Sequence, residues 1–121
     1  MTKPSSLKKL RQRAFLKQGC RCYYCGLPMW ENNPEQFALC HGLRPKQTLL
    51  LRSTAEHLVA QQDGGANSPD NIVAACSFCN LHRHKGRPKN APDPGRYKAM
   101  ICRRMAQGKW HPANTSHIHR R

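Results

Sequence analysis

Residues 54–80 read TAEHLVAQQDGGANSPDNIVAACSFCN, and the reading of this stretch decides the fold. Thr48 to His57 is rich in strand formers, QQDGGANSPDN is a loop by its glycines, proline and aspartates, and Ile72–Ala75 is a second short strand. A helix is predicted from near Ser77, ending by Gly86. The order is strand, loop, strand, helix. An antiparallel hairpin would bring His57 beside Asn71, and a helix laid across it would present Asn80 to the same spot. His57 stands fourteen residues before Asn71, and Asn71 nine before Asn80.

Two cysteine pairs frame this unit. Cys22-x2-Cys25 precedes it and Cys76-x2-Cys79 lies at the junction of the second strand and its helix. Two residues between cysteines let both thiolates approach one tetrahedral zinc from a tight turn, and Gly26 suits the first turn. Four sulfurs saturate the ion, so this zinc is expected to be scaffolding. Cys20 is a possible substitute ligand, whereas Cys40 and Cys102 fall on apolar faces of predicted helices and are expected as buried thiols.

A scaffold metal fits the composition. The chain has 121 residues, nine prolines, eight glycines and 38% apolar residues, which leaves little material for a core. The opening MTKPSSLKKLRQRAF lacks the apolar run of a secretory signal, so a cytoplasmic address is expected, where thiols hold metal more often than they pair. An odd count of seven cysteines also fits disulfides poorly. No stretch is long and apolar enough to suggest a membrane partner.

Formal charge is +15, and four thiolates on one zinc would lower it to about +13. Residues 1–30 carry seven Lys/Arg and no acid; residues 71–121 carry eleven against Asp93 alone. Such a chain attracts polyanions with salt-sensitive affinity, which points to nucleic acid.

Outside the central unit, LKKLRQRAFLKQG after Pro4-Ser5-Ser6 reads as a basic amphipathic helix with a serine cap and Gly19 as its stop. Asn33-Pro34 opens a second helix running to Gly42, and RYKAMICRRMAQG reads as a final one. Residues 1–110 are taken as a single domain with its motif core at 20–86, followed by a basic tail over 111–121 with little to anchor it.

Phosphodiester hydrolysis needs a base to activate water, a hard cation at the phosphate, and something to hold the base. Imidazole serves as a base near neutral pH, and Glu56 and Asn80 offer oxygen ligands that suit Mg²⁺.

At CYYCG, EHL, DNIV and CSFCN, with their spacings, the sequence resembles the HNH endonuclease family. The resemblance runs from Cys22 to about Gly86. It implies an α+β chain: a small zinc-stapled ββα-metal fold with flanking N- and C-terminal helices. By that resemblance His57 is the general base, Asn71 orients it and braces the loop, and Glu56 and Asn80 hold a catalytic Mg²⁺ or Mn²⁺. Glu56 stands where the family more often has Asp. Arg83 occupies a position commonly Lys or Arg, within a histidine-rich LHRHKG whose His82 or His84 could assist the metal or a phosphate.

The sequence thus predicts a metal-dependent endonuclease acting on DNA, expected to be double-stranded, with oligomeric state left open. Arg83, Lys85, Arg87 and Lys89 would contact phosphates, and Lys8, Lys9, Arg11, Arg13 and Lys17 would extend the footprint. The alternatives are a zinc-stapled nucleic-acid-binding module that does not cut, and an RNA-cleaving relative.

Overall fold

Two short runs of small and β-branched residues pair into the central hairpin. In the computed structural model, which describes residues 4–85 and 91–113, β1 (Ser53–His57) runs antiparallel to β2 (Ile72–Cys76). The register sets Ser53 against Cys76 and His57 against Ile72, so Glu56 and His57 end one strand where the other begins. α4 (Ser77–His84) follows β2 without a linker, capped by Cys76, whose Sγ accepts the Cys79 N–H at 3.4 Å.

α1 (Pro4–Lys17) packs on both strands. It begins at Pro4, so Ser5 and Ser6 are helical rather than capping. Its end is left-handed at Gly19 (φ 68°) and Cys20 (φ 64°). There the Gly19 N–H reaches Leu16 O at 3.1 Å and the Cys20 N–H reaches Phe15 O at 2.8 Å, a Schellman ending. The Gln18 amide then lies along the free edge of β2. Its Nε2 donates to Ala74 O at 2.8 Å and its Oε1 accepts the Ala74 N–H at 3.0 Å. The Tyr23 N–H also reaches Ala74 O at 3.0 Å, so a strand edge that would otherwise recruit another chain is covered.

α2 (Pro34–His41) has the predicted ends: Asn33 Oδ1 accepts the Gln36 N–H at 3.1 Å, and Gly42 closes the helix at φ 63°. The strand expected from Thr48 does not form. α3 (Pro45–Leu50) occupies that ground, and β1 starts only at Ser53. The reason is local: Pro45 is preset for a first helical turn, Gln47 Oε1 accepts the Arg44 N–H at 2.9 Å, and the Thr48 hydroxyl donates to Arg44 O at 2.9 Å. The excursion closes on itself, since the Trp30 N–H donates to Leu51 O at 3.2 Å and the Ser53 N–H to Trp30 O at 2.9 Å.

α5 (Pro94–Ala106) is capped by Asp93, and buries Tyr97, Ile101 and Met105 at four-residue spacing. Just beyond it, Trp110 is half-buried, and His111 and Ala113 are buried against the core. Residues 86–90 and 114–121, which include Arg87, Lys89, His117 and His119, lie outside the described residues.

Besides Glu56, Cys76 and Cys79, the largest fully buried side chains are Tyr24, Leu27, Leu51 and Ile101. At roughly 1.5–3 kcal/mol per buried large apolar side chain, that core is small against the entropy of ordering the chain, and a staple is called for. Cys40 and Cys102 are exposed, contrary to expectation: each sits on the solvent face of its helix. No helix among the described residues is long and apolar enough to cross a membrane. Among the described residues the architecture is α+β, with a two-stranded sheet and five α-helices around a cysteine cluster.

Candidate metal centre and catalytic cleft

Cys22 and Cys25 come from the turn after α1, where Gly26 (φ 76°) lets the Gly26 N–H return to Cys22 O at 3.0 Å. Cys76 ends β2 and Cys79 lies in the first turn of α4. Their four sulfurs all lie within 4.8 Å of one another, with Cys25 and Cys76 at 3.9 Å. Four sulfurs at about 2.3 Å from one zinc would stand roughly 3.8 Å apart. The donor set and its spacing fit zinc.

The surroundings are those of bound thiolate. Cys22 Sγ accepts N–H groups from Tyr24 (3.3 Å), Cys25 (3.5 Å) and Cys76 (3.3 Å), and Cys79 Sγ accepts the Trp110 indole at 3.3 Å. Burial pushes the Cys76 and Cys79 thiols up. Burial acts the same way on Cys22, but hydrogen bonds from Cys25, Cys76 and Cys79 outweigh it and hold that thiol down. A second buried negative charge beside the first requires a cation. Cys20, half-exposed, is not in the cluster.

The second site is an open cleft of about 460 Å³ lined by Ala55, Glu56, His57, Ala60, Gln61, Gln62, Asn80 and His84. The fold therefore brings Glu56, His57 and Asn80 to one place. Asn80 Nδ2 donates to Thr54 Oγ1 at 3.1 Å and Ala55 O at 3.2 Å, which leaves Oδ1 as the atom for a cation. His84 Nε2 lies 3.1 Å from Glu56 Oε1. His82 faces elsewhere, with Nδ1 donating to Phe78 O at 2.9 Å and its ring against Phe78 and Trp110.

Glu56 is 2% exposed and more heavily engaged than a free ligand would be. Its Oε2 accepts from the Tyr24 hydroxyl and from Arg83 Nη1, both at 2.9 Å. Burial and the Glu56 carboxylate push the Tyr24 hydroxyl well above its ordinary range, so it stays protonated and donates. Only Oε1 is turned toward His84.

Arg83 is the clearest correction. Expected on phosphate, it is 3% exposed and directed inward. Besides Glu56, it donates to His57 O, Leu58 O and Pro92 O, each at 3.0 Å. A carboxylate buried at the end of β1 needs a counter-charge, and Arg83 lies on the face of α4 that meets it. Arg11 is likewise diverted, its guanidinium forked onto Glu31 at 2.9 and 3.1 Å. Lys8, Lys9, Arg13, Lys17 and Lys85 are exposed; helical spacing puts Lys9, Arg13 and Lys17 on one face.

Asn71 braces the loop: its amide donates to Val59 O (2.9 Å) and Ala66 O (3.0 Å), and its Oδ1 accepts the Val59 N–H at 2.8 Å. The side chain on the His57 ring is Asn67, with Oδ1 2.6 Å from Nε2. Sequence reasoning missed Asn67, which reads as one more polar loop residue. It also missed Tyr24, whose position inside the first knuckle gave no sign of a second role.

Residues 38–86 match a family model described as HNH endonuclease. Among curated proteins, the CRISPR-associated endonuclease Cas9 of Corynebacterium diphtheriae is 29% identical over 79 residues, 64% of this chain and 6% of that protein. The chain thus spans a small fraction of that relative's length. No solved structure matches it significantly. The match starts beyond the first cysteine pair, which the fold returns to the second pair at the head of α4. With the hairpin, the helix and the cysteine cluster in place, residues 38–86 are similar to the HNH endonuclease family.

Proposed function

We propose that the chain is a zinc-stapled, metal-dependent endonuclease that hydrolyses phosphodiester bonds of duplex DNA at the cleft between β1 and α4. One observation carries this reading: His57, Glu56, Asn80 and His84 come from a strand end and a separate helix, and they line a single open cleft. A module that only binds has no need of that convergence.

His57 takes the proton from water as the water oxygen attacks phosphorus in line, and the bond to the 3′ oxygen breaks. The ends left are a 5′-phosphate and a 3′-hydroxyl. Glu56 Oε1 and Asn80 Oδ1, with His84 Nε2 beside them, would hold a divalent cation, Mg²⁺ or Mn²⁺, which when bound would neutralise charge on the phosphate. Asn71 holds the loop that walls the cleft. Arg83 pairs with the Glu56 carboxylate and holds the end of β1 in place. Affinity comes from exposed Lys85 and the Lys9, Arg13 and Lys17 face of α1.

The experiment is incubation of the full chain with supercoiled plasmid and, separately, RNA, with and without Mg²⁺ or Mn²⁺. Wild type should relax or linearise plasmid only with metal. His57→Ala should lose cleavage by roughly 10²–10³-fold while keeping DNA affinity. An equal rate for the variant would end the nuclease reading. The three donors already on Glu56 favour a second reading, a nucleic-acid-binding module that does not cut; metal-independent binding with no cleavage would establish it. Cleavage of RNA alone would move the substrate class.

A further inference from the structure

We propose that Asn67 is the positioning residue that decides which nitrogen of His57 accepts the proton. The inference rests on the nuclease reading of the cleft and adds to it a residue outside the four motif positions.

Asn67 Oδ1 lies 2.6 Å from His57 Nε2. An amide oxygen only accepts, so Nε2 carries the ring proton and the lone pair of the neutral imidazole sits on Nδ1. Nδ1 is therefore the base. The amide of Asn67 is itself oriented: Gln61 Nε2 donates to the same Oδ1 at 3.5 Å.

The backbone under Asn67 is pinned from both sides. Asn71 Nδ2 bridges Val59 O and Ala66 O, so the residue before Asn67 is fixed to the strand end after His57. Gly65 closes the same knot, its N–H on Ala60 O at 2.9 Å. A Cβ at Gly65 would stand 1.7 Å from Val59 O, so only glycine allows this approach. The influence of Asn71 on the imidazole is thus indirect. It runs through Ala66 to Asn67, and Asn67 makes the contact.

The test compares wild type, Asn67→Leu and Asn67→Asp as the zinc-loaded 121-residue chain. Leucine keeps the shape and removes the acceptor; aspartate keeps an oxygen at the same reach. Asn67 is half-exposed in a loop, so neither change threatens the fold. Two readouts are taken. In ¹⁵N-imidazole NMR above the histidine titration range, wild type and Asn67→Asp should carry the His57 proton on Nε2, and Asn67→Leu should show a mixture. In single-turnover cleavage at saturating DNA, Asn67→Leu should fall by roughly 10²-fold with unchanged DNA affinity, and Asn67→Asp should cut faster than Asn67→Leu. A wild-type proton on Nδ1, or a leucine variant with the wild-type tautomer and rate, would overturn the proposal. If wild type cuts nothing, the nuclease reading falls, and the NMR spectrum still decides whether Asn67 sets the tautomer.

Discussion

Replacing Arg83 with methionine retains most of the buried aliphatic volume and removes one charge with four hydrogen bonds. The bonds lost run to Glu56 Oε2 at 2.9 Å and to His57 O, Leu58 O and Pro92 O at 3.0 Å. Glu56 would remain 98% out of water's reach by its neighbours, with only Tyr24 and His84 as donors. Removing one partner of a buried ion pair costs about 3–5 kcal/mol, because the other charge is left uncompensated. For a domain of this size, 1 kcal/mol shifts the melting temperature by roughly 3–6 °C, so the variant should melt about 9–30 °C lower. Thermal unfolding by circular dichroism, with zinc present, measures this. Adding Glu56→Gln should restore part of the loss, since the unpaired charge is then gone. An Arg83→Met variant that melted with wild type yet lost one unit of salt slope in DNA binding would refute the brace and return Arg83 to the phosphates.

The sulfur cluster predicts that Cys76→Ser abolishes stoichiometric zinc and native near-ultraviolet dichroism together, as a structural zinc contributes several kcal/mol; metal analysis and spectra check it. His84→Ala should shift metal preference, because imidazole favours nickel or zinc over magnesium; the ratio of Ni²⁺- to Mg²⁺-supported cleavage should fall several-fold. Lys9→Ala, Arg13→Ala and Lys17→Ala should each flatten log affinity against log salt by roughly one unit and leave turnover at saturating DNA alone. Unchanged slopes in all three would place the substrate on another face.

The hairpin, α4 and the cysteine quartet were legible because short-range rules specify them: CxxC spacing, a glycine-rich loop between two apolar runs, a cap at Asn33. α3 was misread where weak strand preferences of threonine and leucine lost to a proline and a glutamine three residues past the cap. The direction of a long side chain was harder still. Arg83 and Arg11 look like any other cations in a basic string; what separates them from Lys85 and Arg13 is a carboxylate that only the folded chain brings near. Asn67 and Tyr24 escaped for the same reason, since each acts through a partner 10 and 32 residues away.

The closed junction at Trp30, Leu51 and Ser53 has a consequence for how such a chain can change over time. Residues 31–51 form an excursion closed at that junction, and α2 within it buries none of its residues. Doubling the length of a flexible segment closed in this way costs only about 0.6 kcal/mol of chain entropy. Insertions or exchanges between Asn33 and Arg44 can therefore accumulate without moving the strand that ends in Glu56 and His57. Selection can try new surfaces there while the cleft at the end of β1 stays as it is.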